Sequence, residues 1–285
     1  MTTRRADSID DREVRVSVLI AAKPATVWRF LSEAERFAAW IGAYAGQAPL
    51  AGTKIEPRVG GAVRVEYPGG HLARGEITAI DPPRRVALTW GYESGTQGIP
   101  PGSTHIEITL EEAAGGTIVT LRHAGLPTPE ARRGALGGWR HYATMLAKLA
   151  ADAQYAEGAT AAWSAYFAAW GEKDAAARER RLASCCEPAV RFRSSFACTD
   201  NLCELSEHIG NAQQHMPNMP LTLDGAPQQL HGWTRARWQV AAPNGQVVFR
   251  GENVAELSLA GRFTSVVSFP DAPSERGLSR RSSEA

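Results

Sequence analysis

The sequence predicts two α+β units in series, each a curved antiparallel sheet packed on helices. Three observations lead there. The chain has 285 residues, and at roughly 150 residues per domain that length suits two units. The first half orders its signals as strand, helix, many strands and long helix, whereas the second half starts with helices and ends with strands. No internal repeat links the halves, so they are two different folds rather than a duplication.

The elements follow in order. Residues 1–12 are polar and charged and are expected to be a disordered lead-in. Val14 to Val18 alternates apolar and polar, the period of a strand. Pro24 fits the first turn of a helix, where its missing N–H costs nothing, and Val27, Phe30 and Leu31 then share one face. A second short helix runs from Glu33 towards Trp40. Strands are expected at Ala62–Tyr67, Leu72–Ile80, Val86–Trp90, His105–Leu110 and Thr117–Leu121, with turns at Pro68-Gly69-Gly70, Asp81-Pro82-Pro83 and Gly115-Gly116. Leu136, Trp139, Tyr142, Ala143, Leu146 and Leu149 recur at spacings of three and four, which predicts a long amphipathic helix ending near Gln154.

Gly158 sits close to the junction. Trp163, Tyr166, Phe167 and Trp170 form the apolar stripe of the next helix. Asp174 is placed to cap a helix reaching Cys185, which Pro188 stops. A short strand at Val190–Arg193 and a helix from Leu202 to His215 follow. Four strands then run in meander order: Leu221–Asp224, Gln229–Val240, Gln246–Leu257 and Arg262–Phe269. The expected units are therefore 13–152 and 156–272, with residues 273–285 a disordered tail.

Composition narrows function. Hydrophobic residues at 44% and charged residues at 21% give a globular balance. A net charge of +1 argues against a dedicated nucleic-acid binder, which needs a strongly basic face. No stretch approaches 18 consecutive apolar residues, so no membrane span is expected. The polar N-terminus lacks the apolar core of a secretory signal, and a cytoplasmic location is expected. Cys185, Cys186, Cys198 and Cys203 contain no CxxC pair, and neither a disulfide framework nor a metal site is read from them. No phosphate loop, GxSxG elbow or HExxH motif is present, and no cofactor is expected.

Two families match these residues in order. Val27-Trp28, Trp40, Gly60-Gly61, Gly75-Glu76-Ile77, Asp81-Pro82-Pro83-Arg84-Arg85, Trp90, His123-Ala124-Gly125-Leu126 and Gly138-Trp139 resemble the START-like (SRPBCC) superfamily. The branch is that of the heat-shock-protein ATPase activator homologues (AHSA-type). The resemblance implies a helix-grip fold, with a curved sheet around the long helix and an apolar cavity between them. Trp170 with Asp174, then Arg235-Ala236-Arg237-Trp238, Gly251 to Leu257 and Gly261-Arg262 resemble the SnoaL-like branch of the nuclear transport factor 2-like fold. That resemblance implies a cone-shaped α+β barrel with a pocket.

Candidate sites follow from strand alternation and helix spacing. In the first unit His123 shares an inward face with Val119 and Leu121, and Trp139 and Tyr142 face it from the long helix. His105 alternates to the solvent face. In the second unit, Trp238, Ala236 and Thr234 are expected inward, with Phe249, Val267 and Phe269 from neighbouring strands and Trp163, Tyr166 and Phe167 from the first helix. SnoaL-like cyclases carry an acid/base Asp where this chain has Asn253, and an amide cannot shuttle a proton near neutral pH. His231, Trp233, Arg235 and Arg237 are expected on the opposite face as a homodimer interface.

The reading favoured by these residues is binding of small apolar or aromatic molecules in domain cavities, without a catalytic constellation. One alternative is a SnoaL-like cyclase, isomerase or hydrolase in the second unit, which needs an inward acid such as Asp200, Asp224 or Glu252. The other is a chaperone-associated interaction module, implied only by the first resemblance.

Overall fold

The computed structural model describes residues 5–41, 52–94, 98–156 and 158–271. The chain divides between Gln154 and Tyr155 into two compact units.

Unit 1 is built from β1 (Arg5–Ile9), β2 (Glu13–Ile20), α1 (Pro24–Ser32), α2 (Ala34–Ile41), β3 (Lys54–Ile55), β4 (Ala62–Tyr67), β5 (His71–Asp81), β6 (Arg85–Tyr92), β7 (Thr104–Ala113), β8 (Gly116–Ala124) and α3 (Pro129–Tyr155). All neighbouring strands are antiparallel, in the order β1-β2-β8-β7-β6-β5-β4-β3. The lead-in is corrected here: residues 5–9 pair with Val14–Val18 as an edge strand. A polar strand suits an edge, because one side of its backbone stays hydrated.

The core of unit 1 follows the alternation. Val14, Val16, Val18 and Ile20 of β2 are buried, as are Ile106, Ile108 and Leu110 of β7 and Val119, Leu121 and His123 of β8. α3 lays Trp139, Ala143, Leu146, Ala147 and Ala150 against this face. α1 buries Val27, Phe30 and Leu31. Gly91 admits the segment around Ile99, since a Cβ there would stand 1.8 Å from the Pro100 carbonyl oxygen. Ile99, Val14, Leu126 and Ala131 form a smaller apolar cluster near the start of α3.

Unit 2 contains α4 (Gly158–Gly171), α5 (Ala175–Cys185), β9 (Cys186–Arg193), β10 (Cys198–Thr199), α6 (Leu202–His215), β11 (Leu221–Leu223), β12 (Gln228–Leu230), β13 (Trp233–Ala241), β14 (Val247–Leu257) and β15 (Phe263–Pro270). The sheet order is β10-β9-β15-β14-β13-β11, with β12 also on β13. The sheet is open rather than a closed barrel, and β15 and β9 run parallel. α5 is capped by Asp174, whose side chain accepts from Ala177 N at 2.7 Å, and α6 by Asn201, which accepts from Glu204 N at 3.0 Å.

Three departures have local causes. Pro188 lies inside β9, and the β9/β15 register shifts between Phe263 and Ser265, around a residue that has no N–H to give a ladder. The strand expected over Gln229–Val240 is broken by a turn at His231 (φ 52°) and Gly232 (φ 82°). Two successive positive φ values make the tight hairpin turn whose twist matches its strands. The third departure is in β15. Phe263 and Val266 are both buried, a spacing of three rather than two. The irregularity between them flips the following side chains to the other face.

Candidate functional site

The site in unit 1 is a cavity of about 70 Å³ between the sheet and the N-terminal half of α3. Tyr67 closes β4, Trp90 and Tyr92 come from the end of β6, His123 from β8, and Trp139 and Tyr142 from α3. Ile99, Leu126, Gly134, Ala135 and Gly138 complete the lining. Trp90 and Trp139 are buried, whereas Tyr67, Tyr92 and Tyr142 are half-buried. No Asp, Glu, Lys or Arg is among the described residues that line it.

The polar groups are organised by hydrogen bonds. Trp139 Nε1 donates to His123 Nδ1 at 3.0 Å. An indole N–H only donates, so Nδ1 is the acceptor and the imidazole proton sits on Nε2. Nε2 then donates to Thr104 Oγ1 at 2.9 Å, and that hydroxyl donates to the Trp90 carbonyl at 2.9 Å. The chain of bonds ties α3, β8, β7 and β6 together around the cavity wall. Burial, with a smaller contribution from the nearby His105, pushes the His123 pKa from 6.5 down to about 4. Protonating Nδ1 would also turn two donors against each other. His123 is therefore a neutral ring with both nitrogens committed, not a spare base.

Tyr67 and Tyr92 remain protonated. Burial raises the Tyr67 phenol well above its ordinary value, and the neighbouring Tyr142 and Tyr92 add to the shift. Burial also raises Tyr92, partly offset by the Trp90 indole beside it.

The glycines of α3 are unusual. A Cβ on Gly137 or Gly138 would meet no atom within 4 Å. Packing therefore does not require glycine there, and each costs a helix interior about 1 kcal/mol relative to alanine. The absent side chain at Gly138 leaves the cavity wall open.

Unit 2 presents a different interior. Trp163, Tyr166 and Phe167 are buried on α4, and Trp163 stacks on Phe167 at 5.6 Å and meets Phe263 at 4.5 Å. Trp163 Nε1 donates to Thr234 Oγ1 at 2.9 Å. These rings fill a core. Trp238 and Asn253 share the inner face of the sheet, and the Trp238 ring lies across Gly251, where a Cβ would stand 2.3 Å from Cζ2. Trp238 Nε1 and Asn253 Oδ1 are buried without a hydrogen-bond partner. Burial pushes the Tyr166 phenol up.

Several expected positions are corrected. Phe249 pairs with Val240 on the inner side but is 55% exposed, because it stands at the far end of the strand. Phe269 is 56% exposed and pairs with Glu252, on the outer face, as the β15 irregularity dictates; Val267 moves outward with it. His231 lies in the turn, not on the strand face. Trp233, Arg235 and Arg237 do share the outer, exposed face.

The carboxylates held open for acid/base work also lie away from the inner face. Asp200 pairs with Arg193, Glu252 is 3.4 Å from Arg235, and Asp224 is 3.9 Å from Arg250. Cys185 and Cys186 are buried with their sulfurs 3.8 Å apart, while Cys198 and Cys203 are exposed. Among the described residues no group of three His, Cys, Asp or Glu gathers as a metal site, and no helix is long and apolar enough to cross a membrane.

Reading the sequence missed Tyr67, Trp90, Tyr92 and Gly138 as lining residues. A signal existed: Val63, Val65 and Tyr67 alternate inward, as do Val86, Leu88 and Trp90.

Residues 21–151 match the family described as activator of Hsp90 ATPase homolog 1-like protein. No curated protein matches the chain. Among solved structures, an AHSA1-like protein from Rhizobium etli is 35% identical, over 48% of this chain and 81% of its own, with a TM-score of 0.38. A putative isomerase of the SnoaL-like family from Agrobacterium tumefaciens is 26% identical, over 40% of this chain and 98% of its own, with a TM-score of 0.39. CalU16 from Micromonospora echinospora is 24% identical, over 51% of this chain and 84% of its own, with a TM-score of 0.39.

Proposed function

With residues 21–151 forming an AHSA1-like domain as the premise, we propose that unit 1 binds a small molecule in its aromatic cavity and acts by binding rather than by proton transfer. One observation carries this reading. A cavity of about 70 Å³ persists among five aromatic side chains and His123, beside a helix whose Gly138 has open space where a side chain would stand. Protein interiors are otherwise close-packed, and a void forfeits contacts. Helix glycines with no packing reason add a further cost, and both costs are accounted for by a bound occupant. His123, Trp139 and Tyr142 are the ligand-contacting residues of this reading. The neutral His123 and the protonated Tyr67 and Tyr92 do not titrate near neutral pH, which supports binding over general-base chemistry.

The inner face of unit 2 supports a second, polar locus. Asn253 Oδ1 lacks a donor and Trp238 Nε1 lacks an acceptor. A hydroxyl or a water is the kind of group that satisfies such atoms, and buried polar atoms are rarely left unpaired. No carboxylate is among the buried residues described in unit 2, which favours binding there over cyclase or isomerase chemistry.

The test of the unit 1 reading is an NMR titration that follows the Trp139 indole N–H, whose bond to His123 borders the cavity. Adding benzamide, a small neutral ring, shifts that resonance saturably in the native chain and not in Gly138→Leu. Unchanged resonances in the native chain, with no small ring bound, overturn the reading.

A further inference from the structure

The rings of the unit 1 cavity form a closed circuit. Tyr67 meets Tyr92 at 6.4 Å between centroids, Tyr92 meets Trp90 at 6.4 Å, Trp90 meets Trp139 at 6.0 Å, Trp139 meets Tyr142 at 6.1 Å, and Tyr142 returns to Tyr67 at 6.4 Å. All five line the same cavity. A regular pentagon with sides near these lengths puts its centre ~5.3 Å from every ring, inside the ~6 Å reach of a cation–π contact.

The tilts agree with rings that stand around the cavity as walls rather than lie flat in one plane. Successive planes turn by 49°, 81°, 57°, 65° and 42° around the circuit. A five-sided box of upright rings turns by about 72° at each corner, whereas rings lying flat in the plane of the circuit would be near parallel.

Resting on the reading that this cavity is a ligand site, we propose that the five rings are a cage for a methylated ammonium group. The ring faces carry the negative lobe of the aromatic quadrupole, and five of them together hold a diffuse cation. A quaternary ammonium has no N–H to leave unpaired, so a wall without carboxylates satisfies it. An anion is disfavoured, since no Lys or Arg lines the cavity to offset its desolvation. The committed nitrogens of His123 keep that ring uncharged beside the guest. The buried Trp90 and Trp139 form the floor, the half-buried tyrosines the rim, and Gly138 the open side.

The experiment compares choline with 3,3-dimethyl-1-butanol, which has the same shape and no charge, by calorimetry on the full chain. The cage predicts that choline binds at least tenfold more tightly. Tyr142→Phe keeps this preference and Tyr142→Leu reduces it, with circular dichroism confirming that both fold. Equal or tighter binding of the neutral isostere overturns the cage, and leaves the cavity as a site for neutral molecules. Failure of choline, the isostere and benzamide alike overturns the ligand site and the cage with it. The methylated ammonium can belong to a free solute or to a lipid headgroup. Tighter binding of dihexanoyl-phosphatidylcholine than of choline assigns it to the lipid, and equal binding to the solute.

Discussion

Acidification should destabilise unit 1 through one residue. His123 is 2% exposed, and its pKa falls from 6.5 in the unfolded chain to about 4 in the folded one. Between those values the unfolded chain holds a proton that the folded chain does not. Stability therefore rises with pH across this window, and is lost as pH falls from 6.5 towards 4. At ~1.36 kcal/mol per pH unit, the gap corresponds to about 3 kcal/mol. In His123→Gln the amide oxygen can accept from Trp139 and the amide nitrogen can donate to Thr104, with nothing to titrate. The assay is urea unfolding at pH 7, 6, 5 and 4, followed at the Trp139 indole resonance, which reports unit 1 alone. The native chain should lose about 3 kcal/mol more than His123→Gln between pH 7 and 4. Parallel losses in the two proteins, or an imidazole that titrates near 6.5, would refute the hydrogen-bonding scheme built on His123.

Three further outcomes are expected. Gly138→Ala should raise the stability of unit 1 by about 1 kcal/mol in urea unfolding, because open space receives the methyl group and alanine favours the helix. Arg178, 6% exposed on α5, donates to Ser206 Oγ and to the Glu172 carbonyl, so it joins α5 to α6 and to the chain leaving α4. Arg178→Met should cost unit 2 about 3 kcal/mol in urea unfolding followed at the Trp163 indole resonance, since charge-assisted bonds vanish and buried acceptors are left behind. The outer face of β13 and β12 exposes Trp233 and Leu230 beside Arg235 and Arg237, so the chain should sediment as a dimer at micromolar concentration and Trp233→Glu as a monomer. A monomeric native chain would remove the dimer.

Some of this architecture could be read directly from residues. α6 is expected at Leu202–His215 and lies there, because Asn201 caps it by accepting from Glu204 N, and Glu204 in turn accepts from Asp200 N just before the cap. α4 and the inward face of β8 follow from spacing alone, since burial repeats with the period of each element. Phe269 could not be read correctly. One irregular residue reverses every later position of a strand, and nothing between Phe263 and Ser265 announces it. His231 was equally opaque, because positive φ stays uncommon outside glycine even for residues such as histidine that adopt it more often than most.

The site was half visible. His123, Trp139 and Tyr142 emerge from two adjacent elements, one strand and the helix after it. Tyr67, Trp90 and Tyr92 come from β4 and β6, and only the curvature of the sheet closes the five rings on one another. Gly138 was seen as a family residue, but its meaning lies in the empty space beside it.

The central claim is that the cavity of unit 1 exists for an occupant. Native mass spectrometry of the chain purified from its own host tests it most directly, with Gly138→Leu purified in parallel. The account predicts a small-molecule adduct on the native chain that is absent from the variant. An unadorned native chain, or an adduct that Gly138→Leu retains, would contradict it.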